Sequence, residues 1–339
     1  MITRPLADSR TRRRGRRPPF ALPLSCFLFW RGDGFFENEW RQGEGRFWVI
    51  LRSIHNSMIR HPAIRICLRI LKYLLALAFL LVLAYVVLII LVRPSLNRNW
   101  SPDEAVLARA EISSTTVAIT NIRNIDYRTT KDYDIHYYDK TFDLTKLQSV
   151  WYMVEPFSGY GAGAAHTLVS FGFEGGDYVA ISVEIRKEKG ESFSAVKGLL
   201  RQYEIIYVVA DERDVIKLRS NYRKDDVFLY PVKTTKANMQ KLFISMLSRA
   251  NKLATEPEFY NTLTNTCTTN IVAHVNEIVP GRIPFSYKVL MPGYSDELAR
   301  QVGLIDNTLS IEELRAKYRI NDKAMKYADD PLFSERIRE

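Results

Sequence analysis

The sequence predicts an α+β domain built on an antiparallel sheet and preceded by one transmembrane helix. Three observations carry that expectation. Tyr73 to Val92 (YLLALAFLLVLAYVVLIILV) is a run of twenty residues without a charge, and a helix rising ~1.5 Å per residue over such a run crosses the ~30 Å hydrocarbon layer of a bilayer. Glu174-Gly175-Gly176-Asp177 stands between two apolar stretches, His166–Phe173 and Tyr178–Arg186, and its glycines supply the positive φ that a tight hairpin turn needs. Further strand-length and helix-length stretches follow in mixed order, which suits strands and helices packed in one domain.

Taken in order, residues 1–72 form a basic segment. Residues 1–57 show no periodicity, and Met58 opens a compact basic-then-apolar start. They are read either as untranslated, with Met58 as the true start, or as a disordered cytoplasmic tail. Arg60, Arg65, Arg69 and Lys72 precede the apolar run with no acid among them, whereas Arg93 and Arg98 are soon met by Asp103 and Glu104. Lys and Arg stay preferentially on the cytoplasmic side, so the N-terminus is expected inside and the C-terminal domain outside. A cleaved signal would have an apolar region of ~7–15 residues ending in small residues. Here the run ends in Val92-Arg93-Pro94, and an uncleaved anchor over 73–92 is expected.

The net charge of +10 suggests a nucleic-acid binder until it is located along the chain. Residues 1–73 hold fifteen basic and five acidic residues of the 48 and 38 in the whole chain, which leaves thirty-three of each for residues 74–339. The exported part is neutral, without the basic surplus that phosphate binding requires, and no nucleic-acid partner is expected. Of Cys26, Cys67 and Cys267 only the last is exported, so no disulfide forms within that domain.

Residues 93–112 read as a stalk, with SPDE at 101–104 as a helix-start signal. The domain proper is expected over 113–300. After the hairpin, Tyr203–Ala210 (YEIIYVVA) and Val227–Val232 (VFLYPV) read as strands, Asp211–Tyr222 as a short helix and Asn238–Leu253 as a longer one with an apolar face. Residues 301–339, which include SIEELRAKY, read as a polar helix and a tail.

The chemistry concentrates in Phe259-Tyr-Asn-Thr-Leu-Thr-Asn-Thr-Cys267-Thr-Thr-Asn-Ile-Val-Ala-His-Val-Asn276. A Thr/Asn run, good at capping and poor inside helices, ends at a Cys that begins an amphipathic stretch. A sulfur at a helix start meets a partial positive charge and unpaired N–H groups, which favour a thiolate and can hold an oxyanion. A buried structural cysteine is the competing reading. A thiol nucleophile wants an imidazole, and the exported domain offers His136, His166 and His274. His274 lies seven residues beyond Cys267, roughly 10 Å along a helix, too far for a hydrogen bond. His136, in YDIHYYDK, suits the surface. His166 follows the small-residue run Gly159-Tyr-Gly-Ala-Gly-Ala-Ala165, which leaves room for a substrate, and opens the first hairpin strand. The neighbouring strand supplies Ser182, Glu184 and Arg186 to orient it; Glu184 is favoured, although a one-residue slip in register would turn every side chain over. No paired His or Cys stands at metal-ligand spacing, and neither metal nor cofactor is expected.

NIRNIDYR (121–128), AHTLVSFGFEGGDYVAISVEIRKEKGE (165–191), YEIIYVVADERDVIKLRSNY (203–222) and FYNTLTNTCTTNI (259–271) together resemble the family named for the N-terminal periplasmic domain of Lnb, a bacterial lipoprotein transacylase. The resemblance implies a permuted NlpC/P60, papain-like thiol-enzyme fold in which the histidine strand precedes the cysteine helix. It implies His166 and Cys267 as the catalytic pair, a periplasmic domain anchored in the inner (cytoplasmic) membrane by a single pass, and lipoproteins at the lipid surface as substrates. The implied route is acyl transfer through a thioester on Cys267. Two alternatives share the fold class, a cell-wall peptide amidase or peptidase and a non-catalytic envelope binding protein.

Overall fold

The computed structural model describes residues 62–157 and 163–339, together with Val49 and Ser53. The suggested start at Met58, Cys26 and most of the small-residue run, 159–162, lie outside the described residues. The chain divides into two compact units, Met1–Leu80 and Leu81–Glu339. One helix, α1 (Pro62–Leu91), runs through the boundary. It begins well before the uncharged run, because Pro62 fits the first helical position and Arg65, Arg69 and Lys72 have good helix propensity. None of its residues is buried, and it is long and apolar enough to cross a membrane. Pro94, which cannot continue a helix, follows its end.

The second unit is built on an eight-stranded sheet. Its strands are β1 (Arg109–Ile112), β2 (Thr116–Tyr127), β3 (Tyr133–Asp143), β4 (Leu147–Pro156), β5 (Ala165–Phe173), β6 (Asp177–Arg186), β7 (Glu204–Ala210) and β8 (Phe228–Pro231). The sheet runs β1-β2-β7-β6-β5-β4-β8, with β3 on the other edge of β2. Its pairings are antiparallel except for one parallel contact, Arg123 of β2 against Ala210 of β7. The β5–β6 turn closes on Gly175 and Gly176, at φ 88 and 81°, where a side chain would be strained.

Helices cover both faces of this sheet, which is why β7 reads as an unbroken apolar run: every residue in it is buried. On one face Val150, Tyr152, Val154, Val169, Phe171, Val179, Ile181 and Val183 pack against α4 (Lys236–Leu253) and α5 (Cys267–Ile278). On the other, Met153, Leu168, Ala180, Ile206 and Val208 meet Val215 and Ile216 of α3 (Glu212–Lys217). The remaining helices are the short α2 (Ala195–Leu199), α6 (Tyr287–Leu290), α7 (Ser295–Gln301), α8 (Ile311–Tyr318), α9 (Asn321–Lys326) and α10 (Phe333–Arg336).

Three segments differ from the sequence reading. The stretch taken for a polar helix and tail forms α8 to α10, and its last part closes the α3 face: Phe333 and Ile337 are completely buried. Their spacing of four is too sparse a signal to see in a charged segment. Asp211–Tyr222 is not one helix; after α3 the chain widens into a π-helical turn over Leu218–Arg223. SPDE yields a single 3₁₀ turn, Pro102–Glu104.

The stretch read as a stalk lies against the domain. The backbone N–H of Ser95 and Nε of Arg98 both donate to Glu204 at the start of β7, at 2.9 and 2.8 Å. Ser101 N–H donates to the Lys187 carbonyl, and Lys189 N–H to that of Asn99. Trp100 is buried beneath the Arg186 guanidinium, which lies 4.2 Å from its ring centre. The chain leaving α1 therefore joins the sheet at the end where β6 finishes and β7 begins.

Candidate active site

That same end of the sheet is split. β5 stays paired with β4 as far as Ala165 opposite Pro156, and β6 stays paired with β7 as far as Arg186 opposite Glu204. The pairing of β5 with β6 stops at Leu168 opposite Ser182. Beyond it the two halves part, and a cleft of about 480 Å³ occupies the fork. Ala165 and His166 line it from β5, Val183, Glu184 and Ile185 from β6, Arg219 and Arg223 from the π-helical turn, and Tyr260 and Cys267 from the Thr/Asn segment.

Cys267 is the first residue of α5, and the polar run before it works as the sequence suggests. Thr266 caps the helix by accepting from Thr269 N–H, while the Thr269 hydroxyl accepts from Thr266 N–H at 2.7 Å, a reciprocal pair that satisfies two orphan donors. Asn270 reinforces it by donating to the Thr266 carbonyl. Cys267 is 6% exposed, and its sulfur lies 3.7 Å from the Thr268 hydroxyl. Thr268 in turn meets Thr167 at 3.1 Å, which ties the helix start to the strand carrying His166.

Alternation along β5 sends the two candidate groups to different sides. Ala165 and Thr167 face α5 and Cys267. His166 faces the α3 side with Leu168 and Ser170. Only the fork lets both line one cleft.

His166 Nε2 lies 2.7 Å from Ser182 Oγ, and the Ser182 hydroxyl donates to Glu184 Oε1 at 2.6 Å. Arg219 Nη2 donates to the same oxygen at 2.9 Å and its Nε to Glu155 at 2.6 Å. Burial raises the Glu184 pKa, but the Arg219 and Arg123 guanidinium groups and the Ser182 hydrogen bond outweigh it and hold the carboxyl well below the usual range. An ionised carboxylate only accepts, so the single Ser182 proton is committed to it. Ser182 can then only accept from His166, which fixes the proton on Nε2 and leaves the Nδ1 lone pair to take another. Burial, with Arg219 adding to it, pushes His166 down to about 3. The imidazole is neutral at physiological pH, and the 3.8 Å approach of Nε2 to Glu184 is not an ion pair.

Glu184, favoured in the sequence reading, thus reaches His166 through Ser182. Arg186 is engaged elsewhere, donating to the Glu104 and Ala105 carbonyls. His136 is exposed on β3, 3.7 Å from Asp126. His274 is buried on α5 and bound to Tyr207 and Ser245, both at 2.8 Å. Arg219 and Glu155 escaped the sequence reading; Arg219 lies inside the quoted segment 203–222, but a charged residue after a short helix gives no sign of burial. Among the described residues no three His, Cys, Asp or Glu side chains gather as a metal site.

No curated protein and no solved structure matches the chain. One family does, that described as the Lnb N-terminal periplasmic domain, over residues 133–293. The matched span runs from the start of β3 past the end of α6 and takes in every residue of the fork, which makes this stretch of the chain a member of the Lnb N-terminal periplasmic domain family.

Proposed function

We propose that this is a membrane-anchored thiol acyltransferase of the periplasm, held in the inner membrane by α1 with its N-terminus in the cytoplasm, and acting on lipoproteins at the bilayer surface. The observation that carries this reading is the shared cleft: a cysteine opening a helix and a neutral histidine of fixed tautomer line one cavity, at the end of the sheet where the chain arrives from α1. The order of histidine strand before cysteine helix, with α5 packed across β5, is what a permuted NlpC/P60 arrangement requires.

In the proposed reaction Cys267 Sγ attacks the carbonyl carbon of the sn-2 ester of a diacylglyceryl group. The C–O bond breaks, His166 Nδ1 passes the thiol proton to the departing alkoxide, and the acyl chain rests on Cys267 as a thioester. The α-amine of the modified N-terminal cysteine then attacks. The C–S bond breaks as the amide forms, and a proton from the amine returns to the sulfur through His166. The first N–H groups of α5 hold the oxyanion in both steps, and Ser182 with Glu184 supports the imidazolium between them.

Incubation with a fluorescent acyl thioester tests the chemistry. The wild-type chain is expected to become labelled, Cys267→Ala to remain dark, and His166→Ala to label slower by about 10²-fold. Wild-type labelling no faster than that of Cys267→Ala overturns the thiol reading. Mass analysis of lipoprotein N-termini from a deletion strain tests the substrate; an unchanged acylation pattern removes lipoproteins and leaves cell-wall peptides as the class to examine.

A further inference from the structure

Four large apolar side chains stand exposed around α2 and the loop 261–265: Phe193 at 41%, Val196 at 63%, Leu200 at 38% and Leu263 at 53%. Val196 lies on α2, and Phe193 and Leu200 flank its two ends. Apolar area left in water is unfavourable, and soluble monomers seldom gather such groups without a partner.

The patch is rigid. The Thr262 hydroxyl donates to the Ala195 carbonyl at 2.7 Å, and Gly198 packs so closely that a Cβ there would collide with the Thr262 hydroxyl and crowd the Tyr260 ring. It is also continuous with the cleft: Phe193 stands edge-on to Tyr260 at 6.4 Å, and both line the fork that holds Cys267.

Its neighbour says what covers it. Arg201 Nη1 donates to the Ile89 carbonyl of α1 at 3.1 Å, and the Tyr85 hydroxyl reaches the Leu199 carbonyl at 3.5 Å. Tyr85 lies six residues before the end of α1, about 9 Å along the helix axis, within a run that stays apolar to Val92. α2 is therefore level with the last turns of a membrane-crossing helix, the depth at which Tyr side chains concentrate and Arg snorkels outward.

We infer that Phe193, Val196, Leu200 and Leu263 form a lip that sits in the outer leaflet of the bilayer and opens the cleft directly onto lipid. The lip does not depend on Cys267 acting as a nucleophile, and its test is independent of the labelling experiment.

The full chain, carrying a photoreactive benzoylphenylalanine at Leu263, is reconstituted in vesicles of phosphatidylethanolamine and phosphatidylglycerol, irradiated, and searched for lipid adducts. The control carries the same group at Leu332, exposed to a similar extent at 48%, in the C-terminal segment whose Glu335 lies on the Gly176 turn at the opposite end of the sheet. Lipid adducts at position 263 are expected about tenfold above the control. Combining the probe with Val196→Asp and Leu200→Asp, both at exposed positions, is expected to return them to the control level with the melting temperature unchanged. Equal adducts at the two positions, adducts to protein in place of lipid, or an excess that survives the double substitution each overturn the lip.

Discussion

Ser182 has one proton, and the ionised Glu184 claims it. That commitment decides which nitrogen of His166 is basic, so in the proposed reaction Ser182 acts as a positioning residue through the imidazole. Ser182→Ala is expected to slow acyl labelling of Cys267 by about 10–100-fold, the usual range for disturbing a general base, and Ser182→Thr, which keeps the hydroxyl, to recover most of the rate. A structural role alone would lower the melting temperature of the alanine variant without that rescue. Cys267 and His166, which line one cleft, could be picked out as candidates in the sequence because each is a rare residue type in a telling local context. The choice between Ser182 and Glu184 was not, because it rests on strand register and on where the β5–β6 ladder stops.

At the scale of the element, α5 is held by a network that sequence spacing could only exclude from catalysis. His274 bridges Tyr207 of β7 and Ser245 of α4, the Tyr207 hydroxyl continues to Asn270 at 3.0 Å, and Asn270 reaches the Thr266 cap beside Cys267. Burial pushes His274 down to about 4. An unfolded histidine titrates near 6.5, so between that pH and about 4 the unfolded chain binds a proton that the folded chain does not. This contribution is complete above the upper value and is lost as pH falls through the window. Thermal melts of wild type and His274→Gln are expected to differ most at about pH 7 and to converge by roughly 1–2 kcal/mol at about pH 5. A constant difference would mean that His274 is not held neutral by the fold. The helix itself was legible from its Thr/Asn cap and amphipathic run; its partners, 29 and 67 residues away in the chain, were not.

At the scale of the molecule, the C-terminal segment is part of the core. Arg338 donates to Glu212 on α3, and Phe333 and Ile337 fill the α3 face of the sheet. Phe333→Ala is expected to cost about 3–5 kcal/mol, read as a shift in the denaturation midpoint, with acyl labelling retained in the fraction that stays folded. A helix long and apolar enough to cross a membrane, the hairpin, the neutrality of residues 74–339 and the helix start at Cys267 could all be read from the sequence, because uncharged length, paired glycines, charge placement and helix capping are local signals. Only the tertiary structure decided that the sheet forks, that Cys267 and His166 reach one cleft from opposite faces, that a serine stands between histidine and glutamate, and that the cleft opens at the end where the chain arrives from α1. Each of these depends on where a strand ladder stops or on how segments distant in the chain pack together, and a linear pattern carries no record of either.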